Sequence, residues 1–526
     1  MSIELQRFLF DAAPSRRQLL NYVPQEKKRY RVQVFRNHSF ELIEHTMGAY
    51  LDYAGLGVEF LYGGYDDSLS FSKLDPSADL LLLWIDTARY GIASVEDFLD
   101  ERIRQLRLQF SKPVLVVPVG KGLTLRGTGV AVLNLSGLQE TLGAGFLDER
   151  AEKVSGTRLS SRAMLEISRE LGARYLPVLL RPALKAVVVD LDNTLYRGVL
   201  GEDGPEGLVL TEGHRALQER LHQLAEEGFF VCAASKNEVE DVEKLFAVRT
   251  DFPLKRDDFS KIVASWEPKP DSIRQIACFL NIDPESMVFL DDNIGELTAV
   301  QMVFPRIKLI LAEEDGAATC RALTNYPGLL KLNASMDDAK RKDDARANEE
   351  RQTLQKQLTP EEYIRSLKVH LRFSYDVGEQ ISRISELSNK TNQFIFNYQR
   401  YTPTQVEERM ASGRYTVAAI SLSDKLSDSG LIGVCVGRTE ADWVELEECF
   451  ISCRALGRGI DDLIVLGAIQ GILDRVGKER LRVAFQPGER NLPAQNFVQE
   501  HLAQYLEQPG RFHYQIPGDL VTLEIL

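Results

Sequence analysis

Apolar residues along this chain gather in short unbroken runs, and the stretches between them carry the spacing of helices. That is the pattern of buried parallel strands joined by crossover helices. Near the start, Arg31 to Phe35 (RVQVF), Leu80 to Ile85 (LLLLWI) and Pro113 to Val119 (PVLVVPV) read as strands, alternating with helices over Phe40 to Tyr53 and Val95 to Gln109. In the middle, Ala186 to Val189, Phe229 to Ala234 and Met287 to Leu290 repeat the theme. Later, Tyr415 to Leu422 and Leu431 to Gly437 read as strands paired about a turn at Ser427 to Gly430. Trp443 to Ile451 is a further strand, followed by a glycine-containing turn and a helix through Leu473.

Strands alternating with helices predict an α/β, multidomain chain whose first part is a doubly wound parallel sheet. At 526 residues it suggests three or four domains of roughly 150 residues each. The boundaries fall at 1–180, at 181–330 after the prolines Pro177 and Pro182, at 331–357, and at 358–526. The stretch from Asn333 to Gln357 has almost no large apolar residue and mixes both charges, so it predicts an exposed helix or a charged linker.

Charge narrows the function classes. Acidic residues number 77 against 63 basic ones, a net charge of -14, which excludes a general nucleic-acid binder as partner. The six cysteines show no CxxC spacing, and Cys232 and Cys435 lie in apolar runs, which suits reduced thiols and a cytoplasmic location. The first residues carry early acidic groups and no long apolar core, so no signal peptide is expected. No run approaches the ~18 apolar residues of a membrane span.

The candidate chemistry lies where the central runs end. Ala186 to Val189 leads into Asp190 and Asp192, two carboxylates one residue apart at a strand end. The first can attack an electrophilic phosphorus, and the second can serve as acid and then base. Asn193 and Thr194 turn the backbone over the site. Phe229 to Ala234 delivers Ser235, whose hydroxyl can hold a phosphoryl oxygen, and Asn237. Trp266-Glu267-Pro268-Lys269 places an ammonium group to offset the charge of phosphate and nucleophile. Met287 to Leu290 ends at Asp291 and Asp292, an acidic pair suited to Mg²⁺. Each has a plain alternative: Ser235 a helix cap, Lys269 a surface lysine, the acidic pair a capped loop, and the glycine-rich Gly198 to Gly204 an ordinary hairpin.

Near the end, Ser452-Cys453-Arg454-Ala455-Leu456-Gly457-Arg458-Gly459 joins a strand to a helix, a geometry that favours a pyrophosphate. Arg454 and Arg458 add charge, Gly457 and Gly459 free the backbone, and Asn491 follows the next strand. Cys453 stands beside Arg454 just ahead of a helix, where a thiolate is favoured; the commoner fate of such a residue is a buried structural thiol.

Asp190 to Thr194 resembles the first motif of the haloacid dehalogenase superfamily, DxDxT after a strand, whose phosphatases use the first Asp as nucleophile. That family holds Mg²⁺ on the first carboxylate and on the backbone carbonyl of the second, which implies metal binding by Asp190, Asp192, Asp291 and Asp292. The central domain is therefore expected to be HAD-like and Rossmannoid. The first domain looks like the SGNH hydrolase fold, without its full catalytic set: Asp148 has no histidine three residues on, and Ser39 reads better as a cap before the Phe40 helix. A non-catalytic or docking role is expected there. The last domain resembles the GNAT-like acetyltransferase fold, which binds pantetheine pyrophosphate at the turn that Arg454 to Gly459 would form.

In combination, DLDNTLYRGVLGEDG (Asp190 to Gly204), SKN (Ser235 to Asn237), DDF (Asp257 to Phe259), W-x-x-K, LDDN (Leu290 to Asn293), NKTNQF (Asn389 to Phe394) and SCRALGRG resemble FkbH-like proteins. Tyr196-Arg197 departs from that family, which more often has Trp-Gly there; the change falls on the loop over the cleft and bears on the acyl substrate more than on the reaction. The resemblance implies an enzyme that dephosphorylates a phosphorylated three-carbon acyl donor such as 1,3-bisphosphoglycerate. It would pass the glyceryl-type acyl group to the phosphopantetheine thiol of an acyl carrier protein, with Cys453 as relay. The alternative is a Mg-dependent phosphatase fused to an acyl-CoA-dependent transferase in surface-polysaccharide or secondary-metabolite biosynthesis.

Overall fold

The computed structural model describes the chain outside residues 1–2, 26, 28, 66–69, 72, 92–93, 108, 126–128, 151, 333–336, 489 and 519, and outside the side chains of 65 and 337–342. The start of the charged stretch at Asn333 therefore lies outside the described residues. The protein is α/β and multidomain. It divides into two compact units, Met1–Ile276 with Asp283–Ala334, and Ala277–Ile282 with Ser335–Leu526. Among the described residues no helix is long and apolar enough to cross a membrane.

The first unit contains two parallel sheets. One runs in the order β2-β1-β3-β4-β5, with β1 (Arg29–Arg36), β2 (Gly57–Tyr65), β3 (Leu80–Asp86), β4 (Val114–Val119) and β5 (Val130–Val132). β3 and β4 are buried along their whole length, as their apolar runs require. β2 and β5, absent from the sequence expectation, are the sheet's edges, which need no continuous apolar run.

At the point where the strand order reverses, the ends of β1 and β3 are tied together. Asn37 Nδ2 donates to Asp86 O at 3.1 Å and Asn37 Oδ1 accepts from Asp86 N at 2.7 Å. The buried Asp86 carboxylate takes both ends of the Arg158 guanidinium, at 2.8 and 2.7 Å. His38 is fully buried, stacked on Trp84 with ring centroids 4.7 Å apart. Ser39 does not cap the following helix. Its hydroxyl donates to Glu41 Oε2, and the N-cap residue of Glu41–Tyr53 is Phe40, which makes no side-chain cap bond.

The second sheet of this unit runs β10-β9-β6-β7-β8, all parallel: β6 (Ala186–Val189), β7 (Phe230–Ser235), β8 (Phe259–Ala264), β9 (Met287–Asp291) and β10 (Lys308–Leu311). β6 is central and wholly buried, so the residue after Val189 emerges in the middle of the sheet's carboxyl edge. The helix Ile3–Phe10 lies against the outer strand: Gln6 Nε2 donates to Leu311 O at 2.8 Å and Gln6 Oε1 accepts from Leu311 N at 3.1 Å. The glycine-rich stretch forms a short helix, Leu200–Gly207, and not a plain hairpin. It kinks at Gly204, where φ is 63° and Pro205 follows.

The second unit is built on a seven-stranded mixed sheet, β16-β15-β14-β13-β12-β11-β17. Its strands are β11 (His370–Tyr375), β12 (Tyr415–Ser423), β13 (Asp428–Thr439), β14 (Val444–Ile451), β15 (Arg480–Val483), β16 (Gly510–Arg511) and β17 (Thr522–Ile525). The β12–β13 turn closes earlier than expected: Asp424 N donates to Ser427 O at 2.9 Å, and Asp424 Oδ1 accepts from the amides of Leu426 and Ser427. β13 therefore begins at Asp428. The charged helix Asp337–Gln357 is also no solvated spacer. Asp344, Ala345 and Arg351 are buried, and Arg351 pairs with Asp424 at 2.9 Å. Its apolar content is low because its inward face is ionic.

Candidate active site

Four of the segments singled out in the sequence meet at the carboxyl edge of the second sheet. Asp190 follows β6, and its amide donates to Leu290 O at 2.9 Å, which fixes it beside the end of β9. Lys269 opens the helix Lys269–Leu280 and is buried. Its ammonium has three partners: Asp190 Oδ1 at 2.6 Å, Ala234 O at 2.7 Å and Asp291 Oδ2 at 3.1 Å. It is thus no surface lysine. Burial pushes both Asp190 and Asp291 above the ordinary carboxylate range, against the pull of Lys269. Burial opposes the charge on Lys269 as well, but the two carboxylates outweigh it and hold the ammonium above its usual value.

The chain turns sharply after Asp192. Asn193 takes φ of 51°, a left-handed conformation that asparagine tolerates, and its Oδ1 accepts from Gly198 N at 3.0 Å. Thr194 is buried just beyond. The Asp192 carboxylate is held at both oxygens. Oδ1 accepts from Tyr196 Oη at 2.8 Å and from Leu200 N at 3.0 Å, and Oδ2 accepts from Asn237 Nδ2 at 2.9 Å. Asn237 Nδ2 also donates to Ser235 Oγ at 2.9 Å, so one amide links the β7 hydroxyl to the second aspartate. Ser235 is buried at the end of its strand and caps no helix.

One oxygen from each of Asp190, Asp291 and Asp292 lies within 4.8 Å of the others, the first two residues buried and the third exposed. Three carboxylates against the single ammonium of Lys269 leave an excess of negative charge on hard oxygen donors. That donor set fits a divalent cation such as Mg²⁺. The Asp192 carboxylate is not in this cluster, because its oxygens are engaged by Tyr196, Leu200 and Asn237. The contact that the resemblance implies for Asp192 is through its backbone carbonyl, not this side chain.

Tyr196 was missed. It was expected on a loop over the cleft, but it is wholly buried, its ring stacked on Phe252 at 5.8 Å, with its hydroxyl on Asp192. The only hint in the chain was its position four residues after Asp192, one turn of a tight loop. Trp266 is exposed, its indole N–H donating to Glu238 Oε1 at 2.7 Å.

The residues expected to hold pantetheine in the second unit are placed differently. Arg458 is buried, donating to Asp344 Oδ1 at 3.0 Å, Asp424 Oδ2 at 3.1 Å and Ser429 Oγ at 2.9 Å. Arg454 is buried too, with Asp344 at 3.9 Å and Leu431 O at 3.5 Å. Asn491 has no surface exposure and bonds four times inside the fold: to Ile395 O, Gln486 O, Gly488 N and Gln495 Nε2. These three side chains are therefore corrected from anion ligands to structural groups. Gly457 and Gly459 do adopt left-handed φ, 78° and 68°, and Cys453 is half-buried ahead of them.

A further feature closes the same region. β14 and β15 pair only over Val444 to Leu446. Beyond that the gap is filled by the chain itself: Phe396 N donates to Cys449 O, Ile451 N to Phe394 O, and Gln486 N to Phe396 O. The buried Glu448 fastens this insert by accepting from the amides of Phe396, Asn397 and Gln399 at 2.8 to 3.1 Å. An extended ligand that pairs with a free strand edge finds that edge taken.

No family model matches the chain, and no curated protein matches it. Among solved structures, it is similar to the N-terminal part of a Bacteroides fragilis protein containing a phosphatase domain, complexed with Mg. That match has 20% identity, covers 63% of this chain and 100% of the other, and has a TM-score of 0.44. A D,D-heptose 1,7-bisphosphate phosphatase from B. bronchiseptica, complexed with magnesium and phosphate, matches at 14% identity, covering 27% of this chain and 98% of its own, with a TM-score of 0.21. A spermidine N-acetyltransferase mutant from Vibrio cholerae matches at 13% identity over 25% of this chain and 77% of its own, with a TM-score of 0.20.

Proposed function

We propose that this chain is a magnesium-dependent phosphatase of the haloacid dehalogenase type that acts in an FkbH-like acyl-loading reaction. The observation that carries the phosphatase half is the meeting of Asp190, Asp192, Ser235, Lys269 and Asp291 at one sheet edge. Asp190, central and pre-paired with an ammonium, attacks phosphorus, and the bond to the leaving oxygen breaks as Asp192 gives that oxygen its proton. Asp192 then takes a proton from water, which attacks the aspartyl phosphate, releases phosphate and restores Asp190. Ser235 holds a phosphoryl oxygen through its hydroxyl, Asn237 ties Ser235 to Asp192, Asn193 and Thr194 shape the turn above them, and Lys269 balances the charge on the nucleophile. Mg²⁺ held by Asp190, Asp291 and Asp292 would supply further positive charge to the phosphoryl group.

The acyl half rests on the sequence resemblance. With 1,3-bisphosphoglycerate as donor, the Cys453 thiol would give up its proton and attack the carbonyl carbon, expelling the 1-phosphate and forming a thioester; Asp190 would take the 3-phosphate by the steps above, and the thiol of an acyl carrier protein would then attack the thioester and free Cys453. The test is to mix the purified protein with Mg²⁺, 1,3-bisphosphoglycerate and a carrier protein. Free phosphate and an acylated carrier, seen by intact mass, are expected. Phosphate release without carrier acylation would leave only the phosphatase half, and neither product would overturn the whole reading.

A further inference from the structure

The way Asp192 is held assigns its proton to one oxygen. A carboxylate offers about four lone-pair positions, two on each oxygen. On Oδ1 both are taken, by the Tyr196 hydroxyl at 2.8 Å and the Leu200 amide at 3.0 Å; on Oδ2 Asn237 takes one, at 2.9 Å. The open position is therefore on Oδ2, beside the amide that also touches Ser235 Oγ. Tyr196 is wholly buried, and burial together with the neighbouring carboxylate pushes its phenol far up, so it stays protonated and can only donate toward Asp192.

We propose that Tyr196 is a positioning residue that saturates Asp192 Oδ1, so that the proton given to the leaving group travels on Oδ2. This rests on the phosphatase reading. During the first half-reaction the P–O bond breaks, its electrons stay with the leaving oxygen, and the Oδ2 proton moves to that oxygen. Without the Tyr196 hydroxyl the carboxyl group can turn, and the proton is shared between the two oxygens. Leaving oxygens that need protonation then suffer, while those that leave as stable anions do not.

The test uses Tyr196→Phe, which removes one oxygen and keeps the ring against Phe252. With Mg²⁺, kcat/KM for 3-phosphoglycerate, whose alkoxide leaves poorly, should fall about tenfold, whereas acetyl phosphate, which expels acetate, should change less than about twofold. An equal loss on both probes would mean a merely structural role and overturns the proposal, as does no loss on either. A crystal structure of the metal-free variant gives a second readout: the Asp192 carboxyl should leave its position between Leu200 N and Asn237 Nδ2. If it keeps that position, the proposal is wrong. Should the wild-type protein release phosphate from neither probe, the phosphatase reading fails separately, and the metal-free structures still decide what Tyr196 does to Asp192.

Discussion

Lys269 Nζ stands 2.6 Å from Asp190 Oδ1, with both groups buried at the centre of a sheet edge. The ammonium is the only positive side chain touching that carboxylate among the described contacts, and it also reaches Asp291 at 3.1 Å. Two buried carboxylates thus depend on one cation.

Replacing Lys269 with Met should therefore be costly even without substrate. Removing one partner of a buried ion pair leaves uncompensated charge, which costs about 3–5 kcal/mol. Urea unfolding of the metal-free protein measures this, and the loss should shrink when Mg²⁺ is added, because the cation replaces part of the missing charge. A variant as stable as the parent in metal-free buffer would show that the pair contributes nothing.

Asp190 and Asp192 should fail in different ways. Asp190→Asn loses the nucleophile, so no phosphate should be released from 3-phosphoglycerate or acetyl phosphate. Asp192→Asn keeps the nucleophile and loses the proton carrier, so it should slow turnover about 10²–10⁴-fold and let an acid-stable phosphoprotein accumulate when acetyl phosphate is supplied. Phosphoprotein on the Asp190 variant would reassign the attacking group.

Magnesium should stabilise the fold by mass action. A ligand that binds only the folded chain adds about 2.7 kcal/mol at a hundred times its Kd. The melting temperature should therefore climb with Mg²⁺ concentration and fall back on chelation. Asp292→Asn, which removes the exposed member of the acidic trio, should flatten that climb. Calorimetry that finds the same Mg²⁺ response in both proteins would move the cation elsewhere.

His38 gives the first unit a pH dependence of known sign. Burial holds its imidazole at about 3, below the ordinary 6.5, with the Asp86 carboxylate pulling upward and Arg89, Arg158 and Arg36 pushing down. The folded protein then binds fewer protons than the unfolded chain between those values, so this contribution is full above pH 6.5 and is lost as pH falls toward 3. It is worth up to about 1.4 kcal/mol per pH unit. In urea titrations across this range, His38→Gln should show a shallower acid slope than the wild type, and identical slopes would refute the assignment.

The site was legible from sequence where local rules and long-range packing agree. Ala186 to Val189 announced itself as a buried strand because a central parallel strand must be apolar on both faces, and Asp190 at its end followed directly. Lys269, which opens a helix, was legible only through the W-x-x-K motif of the resemblance. The edge strands Gly57–Tyr65 and Val130–Val132 were not, since an edge carries a weaker pattern. Arg454 and Arg458 looked like anion ligands because their partners, Asp344 and Asp424, lie up to 114 residues away in the chain and leave no mark beside them. Tyr196 failed for the opposite reason: its partner is four residues off, but in a turn whose shape Asn193 dictates through a positive φ, which no hydrophobic period encodes.

The Gln6 side chain does for β10 what a neighbouring strand would do, meeting both backbone groups of Leu311 with one amide. Shortening the chain past Phe10 would therefore strip this cover from β10, the outer strand of the second sheet. The bared rim would be a template for sticking to other copies, so such a shortened protein should be lost to precipitation before it is lost to unfolding.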